Sequence, residues 1–465
     1  MAGGRGSGGG TGGVGGDATK GAGSSGRGGT WLAVAVWILT RTAVLLCVLD
    51  VLPLPGPDVT ADVSVIYEGW YEVLKNGTYP MDDVAWQYPP AAALAILSPA
   101  LLPFLGYAHA FFALTLLCDA LVFGLLLHAG GQLRERRPRG RRAAGGDESR
   151  AVAERAEKRA EDRGRSPHGA WVWVAGVPLL GPTAYARYDL MVTAVAVAAL
   201  LAGARHPRTL GALAAFGALL KVWPLLLLTG VPGVRANRRA WATAAGTAAA
   251  VAVALVAAMP GALAFLTFQR DRGTEIESLG GLVFHVARHH GWQGQVLLHY
   301  GSVEFVGRHV TLVSTLSLGL ALLALGWLVL WRLRIKKFEP STLSDAAFTA
   351  VLLFTTTSRV ISPQYMIWLV GLAAVCLVFR GSRMAPPAWL VLAATGGSLL
   401  EFPVWFSQVV ASEPLGVLLL FVRNGLLVAA TLTACLRLWR QTVSEPGRRR
   451  LLPAQSTRDN ALLSS

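Results

Sequence analysis

The sequence predicts an all-α, polytopic transmembrane bundle of about 12 membrane helices, and three observations lead there. Of the 465 residues, 53% are hydrophobic and only 15% are charged, giving a mean hydropathy of +0.48. The apolar residues fall in blocks that approach or exceed the roughly 20 residues a helix needs to cross a bilayer. The Lys and Arg that raise the formal charge to +15 lie mostly in short segments between those blocks, where they orient spans and do not form a nucleic-acid surface.

In chain order, residues 1–29 are dominated by Gly and Ser and lack a cleavable-signal pattern, so a disordered cytoplasmic tail is expected. A transmembrane domain follows over 30–436, and a basic cytoplasmic tail over 437–465. Clear spans cover 31–52, 108–130, 241–259, 310–331, 341–356, 365–379, 387–405 and 415–436. Basic clusters at 134–165, 205–208, 235–239, 332–337, 380–383 and 437–450 are assigned to the cytoplasm. Residues 90–105 are apolar enough to span, but a span there would put the charged loop 131–169, with 12 Lys/Arg and 7 Asp/Glu, outside. Laying 90–105 along the outer interface instead returns every basic cluster to the inside. Between 171 and 234 two apolar hairpins turn at 185–189 and 221–224. Their arms are short for about 30 Å of hydrocarbon and require neighbouring helices or a water-filled cavity around them.

The expected extracytoplasmic loops are 53–107 and 260–308. The first carries Asp58, Asp62, Glu68, Glu72, Asp82 and Asp83 against Lys75, and its Val63, Ile66, Trp70 and Leu74 recur at helical spacing. An amphipathic helix lying on the membrane accounts for that pattern. Cys47, Cys118, Cys376 and Cys435 all lie in apolar segments and read as packing residues. His285, His289 and His290 have a spacing that can bind zinc, but no acid or further ligand accompanies them, so no metal site is assigned. Arg41 and Asp119 fall near the middle of the first two spans, where an ion pair is expected.

The run DVSVIYEGWYEVLKNGTYP at 62–80 is the most specific pattern, with WQYPP at 86–90, RYD at 187–189, GALLKVWP at 217–224, DRGTEIES at 271–278 and SPQYMIWL at 362–369. Together these resemble membrane glycosyltransferases of the GT-C superfamily, and most closely family 87, the polyprenol-phosphate-mannose-dependent mannosyltransferases. The resemblance extends over nearly all of 31–436. It implies a GT-C-type bundle with interfacial helices in the first outer loop. It also implies an inverting transfer of a sugar, mannose by expectation, from a polyprenyl-phosphate donor to an envelope glycolipid or glycan. The site would face the outside of the cell membrane. The Gly, Ala and Arg bias suggests a high-GC actinobacterial chain.

Asp62 occupies the position of the superfamily's general base, and a carboxylate at the membrane edge can accept the proton of an attacking hydroxyl; Asp58 is the second candidate. Lys221 and Arg359 interrupt apolar sequence where an unpaired cation is costly, so a donor phosphate is one partner for them. Internal ion pairs, Arg187 with Asp189 or either cation with Glu401, are the other explanation. Arg270 and Arg272 are further phosphate candidates. Tyr88, Gln364 and Tyr365 could stack on or hydrogen-bond to a sugar, with Arg187, Asp189 and His285 beside them. No cofactor or metal is required. Members of family 87 commonly carry His where this chain has SPQY, which leaves the partner of Asp62 open. A lipid-linked-sugar transporter or a non-catalytic glycolipid binder are the rival classes, but the candidate groups lie on one side and no internal repeat is visible.

Overall fold

A computed structural model describes residues 21–131, 164–268, 273–299 and 301–444. Residues 1–20 and 445–465 of the expected tails 1–29 and 437–465, residues 132–163 of the charged loop 131–169, and Arg270 and Arg272 lie outside the described residues. The chain enters through α1 (Gly21–Val48), forms α2 (Glu68–Lys75) and α3 (Ala92–Leu97) in the first loop, and returns in α4 (Tyr107–Ala129). Three shorter helices follow, α5 (His168–Leu180), α6 (Asp189–Gly203) and α7 (Pro207–Leu220), then a tight 3-10 segment over Trp223–Gly230 and α8 (Val234–Ala258). After α9 (Leu279–His289) in the second loop come α10 (Val310–Arg334), α11 (Thr342–Thr357), α12 (Tyr365–Val378), α13 (Ala385–Leu399), α14 (Phe406–Ala411) and α15 (Pro414–Thr442).

Among the described residues, six helical stretches are long and apolar enough to cross a membrane: Gly28–Val48, Tyr107–Ala129, Val234–Ala258, Val310–Arg334, Ala385–Val404 and Pro414–Thr442. The molecule is thus a polytopic helical bundle. α1 begins at Gly21, inside the segment expected as a tail; although Gly is a poor helix former, extending an existing helix costs less than nucleating one. The short helices are the enclosed ones. Nearly every residue of α12 is buried, whereas α10 exposes Leu316, Leu318, Leu322 and Leu323 on its flank. A helix walled in by others has no need to match the hydrocarbon thickness by itself. Close approach depends on small residues: a Cβ on Gly211 of α7 would sit 2.1 Å from the Ala240 carbonyl oxygen of α8.

Residues 92–101 form only α3 and a 3-10 turn, Ser98–Leu101, about 15 Å of rise, too short to span. This segment is pinned instead, with Tyr79 Oη donating to the Pro90 carbonyl at 2.8 Å and the Ala91 amide donating to the Leu219 carbonyl at 2.9 Å. The expected amphipathic helix is present with one change of register. Asp62–Tyr67 is a π-turn leading into α2, and the buried side chains are Val63, Tyr67, Trp70 and Leu74, while Ile66 is 37% exposed. A π-turn holds more residues than an α-turn, so the position below Val63 passes from Ile66 to Tyr67.

The second loop departs from an all-helical reading. It holds a small antiparallel sheet, β1 (Thr274–Glu275), β2 (Gln295–His299) and β3 (Ser302–Val306), in the order β1-β3-β2. At the opposite end of the bundle the basic segments meet: the Arg380 amide donates to the Gly164 carbonyl, Arg437 to the Arg383 carbonyl and Arg332 to the Val231 carbonyl.

Arg41 and Asp119 do pair. Arg41 Nε lies 2.7 Å and Nη2 3.2 Å from the two Asp119 oxygens. Asp119 also accepts from Trp37 Nε1, Trp173 Nε1 and Tyr185 Oη at 3.2, 2.6 and 2.6 Å, and Arg41 donates to the carbonyls of Val174 and Trp173. This node ties α1, α4, α5 and the first hairpin tip together. Arg41→Met is expected to lower stability by about 3–5 kcal/mol, and Arg41→Met with Asp119→Leu by less, because no charge is then left alone in the apolar interior. Thermal denaturation in nanodiscs reads the difference; a double variant less stable than either single one contradicts it.

Candidate active site

The first hairpin tip, Arg187-Tyr188-Asp189, lies between a 3-10 turn, Gly181–Ala184, and α6. Its two charges face different partners. Arg187 Nη2 lies 2.8 Å from Asp62 Oδ2, and Arg187 Nη1 donates to the carbonyls of Val59 at 3.0 Å and Ala186 at 2.7 Å. The guanidinium therefore staples the first loop to the hairpin tip and holds one oxygen of Asp62. Asp62 opens the π-turn and its side chain remains 36% exposed, while that of Arg187 is 9% exposed.

Asp189 turns the other way. Its Oδ1 accepts from Lys221 Nζ at 2.6 Å and from Trp368 Nε1 at 2.7 Å. Four rings surround the ammonium: Trp368, Tyr188, Tyr365 and Tyr88, with Nζ 5.0, 5.3, 5.4 and 5.6 Å from their centroids. Cation-π attraction in so dry a setting is worth more than on a surface. Tyr365 and Trp368 stack at 4.0 Å, Tyr88 meets Tyr188 edge-on at 5.3 Å, and Tyr188 Oη reaches the Leu220 carbonyl. Beneath these rings Tyr67 is buried, and burial, with Tyr88 beside it, pushes its phenol well above the usual value.

Neither cationic pairing follows the internal alternatives drawn from the sequence. Arg187 binds Asp62 in place of Asp189, Lys221 binds Asp189, and Glu401 is taken by Arg423. The reason is direction: alternate residues of a tight tip project apart, so Arg187 and Asp189 cannot share a partner side.

A second buried charge cluster docks the DRGTEIES and SPQYMIWL segments on each other. Glu275, 2% exposed, accepts from the Ile361 amide at 2.6 Å and Ser362 Oγ at 2.7 Å, and its own amide donates to the Arg359 carbonyl. Arg423 of α15 is fully buried; its Nε donates to Glu401 at 2.8 Å, its Nη2 also meets Glu401 and lies 3.7 Å from Glu277, and both terminal nitrogens reach the Ile361 carbonyl at 3.2 Å. Burial, then the neighbouring Glu401, pushes the Glu277 carboxyl well above the usual carboxylate range. The turn that starts α12 and presents Tyr365 is fixed by this cluster.

The remaining candidates separate. Arg359 is half-buried, with Nη1 3.3 Å from Ser314 Oγ, and Gln364 is half-buried just before α12. Asp58 caps its own turn, accepting from the Thr60 amide and hydroxyl, and Asp83 accepts from Trp70 Nε1 and the Ala85 amide; Asp82 is exposed. Among the described residues no group of three or more His, Cys, Asp or Glu is placed to hold a metal ion.

His285 packs on Phe305 in the small apolar core under the sheet. Its Nε2 donates to the Ile276 carbonyl at 2.9 Å, so Nδ1 accepts from Ser412 Oγ at 2.7 Å, and Ser412 in turn accepts from Arg288. Burial, helped by the Arg288 charge, lowers its pKa from 6.5 to about 4. The folded state thus refuses a proton that the unfolded chain accepts below 6.5. Stability of this loop is expected to be full above pH 6.5 and to fall as pH drops toward 4, by up to about 3 kcal/mol. Hydrogen exchange at 276–290 reads it, and protection that does not change across that window contradicts it.

The fold and this constellation define a polytopic membrane protein with a polar, ion-paired site at the end of the bundle opposite its basic segments. The model of glycosyltransferase family 87 matches residues 86–363, more than half of the chain. The chain belongs to glycosyltransferase family 87, and it is a glycosyltransferase. No curated protein and no solved structure matches it. The matched residues include Tyr88, Arg187, Asp189, Lys221, Arg270, Arg272, His285 and Arg359, and exclude Asp62, Gln364 and Tyr365. That range is narrower than the 31–436 expected from the motifs.

Trp368, Tyr188, Glu275 and Arg423 were not singled out in the sequence. Two of them had a signal: Trp368 follows Tyr365 by three residues on one helical face, and Arg423 is a lone charge inside an apolar span.

Proposed function

We propose that the enzyme transfers a sugar, mannose in our reading, from a polyprenyl-phosphate donor to a glycolipid or glycan acceptor at the extracytoplasmic face of the cell membrane. About twelve membrane helices fit this scheme, counting the short enclosed ones. The observation that carries the reading is the Arg187-Tyr188-Asp189 tip, which bridges an oriented carboxylate, Asp62, and a ring-caged ammonium, Lys221. The collection of Lys and Arg at the other end of the bundle supports an outward-facing site.

In the proposed step the acceptor hydroxyl oxygen attacks the anomeric carbon from the face opposite the phosphate. The carbon–oxygen bond to phosphate breaks, its electron pair leaves on the lipid phosphate, and the hydroxyl proton passes to Asp62. Arg187 holds Oδ2 of that carboxylate and is itself held by two carbonyls, so Oδ1 can be presented to the hydroxyl without a search over rotamers. Lys221 receives the departing phosphate charge, with Arg359 and, from the second loop, Arg270 and Arg272 assigned to the same charge. Tyr88 and Tyr365 offer ring faces to the sugar, and Gln364 a hydrogen-bonding amide. The scheme calls for no divalent metal.

Purified enzyme in nanodiscs tests the donor class. Transfer is expected from polyprenyl-phosphate mannose and not from a nucleotide sugar, with a rate that EDTA leaves unchanged. Use of the nucleotide sugar, or movement of the lipid donor between leaflets without release of polyprenyl phosphate, would overturn the reading.

A further inference from the structure

A cavity of about 310 Å³ lies where the start of the first loop, within 50–60, meets Pro182 of the turn before the hairpin tip and Pro403 after α13. That volume is at the lower end of the roughly 300–1,000 Å³ usual for ligand sites and suits a short saccharide. Its walls are stiff. Pro53, Pro57, Pro182 and Pro403 each fix their own φ. Gly56, at φ +108°, lies so close to Pro403 that a Cβ there would sit 2.0 Å from the Pro403 carbonyl oxygen. A cavity held this way is shaped before a ligand arrives.

The cavity shares a wall with the proposed base. Val59 lines it, and the Val59 carbonyl accepts from Arg187 Nη1 at 3.0 Å while Arg187 Nη2 lies 2.8 Å from Asp62 Oδ2. Wall and base are separated by no more than one guanidinium fork and its two hydrogen bonds. Lys221 lies on the other arm of the tip, against Asp189. An inverting displacement needs the attacking hydroxyl and the leaving phosphate on opposite faces of the anomeric carbon. A hydroxyl coming from the cavity arrives on the side of Asp62.

The charge of the lining selects what can enter. Among the described residues its ionisable groups are Asp50, Asp58 and the Cys47 thiol, with no Lys, Arg or His. Asp58 commits Oδ1 to the Thr60 amide and hydroxyl, whereas Asp50 is exposed, two residues past the end of α1. Carboxylates accept hydrogen bonds from sugar hydroxyls and repel a phosphate or a uronic acid.

We infer that this cavity is the acceptor subsite and that it takes an uncharged, hydroxyl-rich sugar unit, with Asp50 accepting from its hydroxyls; the inference rests on the transfer reaction proposed above. An anionic part of the acceptor, such as a lipid phosphate, stays outside the cavity.

Two alkyl glycosides, a neutral dimannoside and a glucuronide, probe the subsite by titration calorimetry on the full-length protein in nanodiscs. The dimannoside is also offered as acceptor with polyprenyl-phosphate mannose. Expected is binding of the dimannoside by wild type, weaker by roughly tenfold in Leu54→Trp, which fills the cavity, and by roughly three- to tenfold in Asp50→Asn. Asparagine tolerates the left-handed backbone of Asp50, at φ +58°, so the second variant keeps the turn. The glucuronide is expected to bind wild type more weakly than the dimannoside does, and that gap narrows in Asp50→Asn. In the transfer assay the change falls on acceptor KM more than on kcat, with donor KM level. Dimannoside binding that is absent, or equal in wild type and both variants, overturns the subsite, as does tighter binding of the glucuronide. Variant-sensitive binding without transfer supports the subsite and counts against the proposed reaction instead.

Discussion

Asp62→Asn is expected to lower turnover by about 10²–10⁴-fold while leaving the apparent affinity for the lipid donor nearly unchanged. Asparagine matches aspartate in shape, and its carbonyl oxygen can still accept from Arg187, so the first loop should keep its place on the hairpin tip. Arg187 also retains the Val59 and Ala186 carbonyls, and a change confined to so open a side chain should alter stability little. What is lost is the ability to take a proton. Asp58→Asn is the matched control, since Asp58 is committed to the Thr60 turn; a small effect is expected there. Equal turnover by wild type and Asp62→Asn would remove Asp62 from the chemistry.

Arg423→Met is expected to cost about 3–5 kcal/mol of stability. Arg423 is the buried cation facing Glu401 and Glu277, and it also holds the Ile361 carbonyl. Without it Glu401 must be protonated or carry a charge in an apolar surround, and the Ile361 carbonyl loses two donors. Because Glu275 grips the same turn through the Ile361 amide and Ser362, the start of α12 should loosen without being lost. Turnover is therefore expected to fall along with stability, through the misplacement of Tyr365. Arg423→Met with Glu401→Leu should recover part of the stability and less of the turnover. Thermal denaturation and the transfer assay, run on the same nanodisc samples, separate the two. A single variant as stable as wild type would contradict a structural role for the cluster.

The two predictions rest on different degrees of legibility in the sequence. The long spans could be read because hydrocarbon imposes a length and a composition on each of them, and α4, α8 and α10 end within a few turns of where the apolar blocks end. The hairpin tips were legible because Arg187, Asp189 and Lys221 interrupt apolar sequence. Their pairing was not, because an Arg and an Asp two residues apart offer each other's partners no ranking until the tip's backbone aims them. Lys221 does have an internal ion pair, but with Asp189 and not with the Glu401 weighed for it, which Arg423 takes. The buried face of the first loop shifted from Ile66 to Tyr67 because a π-turn changes the period, and nothing local in the sequence marks where such a turn begins. The sheet in the second loop was missed for a related reason. Its β1 is two residues long, below any readable alternation, and is fixed by pairing with β3. Asp62 was picked out by its position after the first span and by resemblance. Its partner, Arg187, lies on another element, and only the folded chain brings the two within 2.8 Å.

The most direct measurement is a cryo-EM structure of Asp62→Asn in a nanodisc with polyprenyl-phosphate mannose bound. Expected is the phosphate within hydrogen-bonding distance of Lys221, the sugar against the Tyr88 and Tyr365 rings, and the anomeric carbon open on the side of residue 62. A donor phosphate bound away from Lys221, with residue 62 remote from the sugar, would contradict the proposed site.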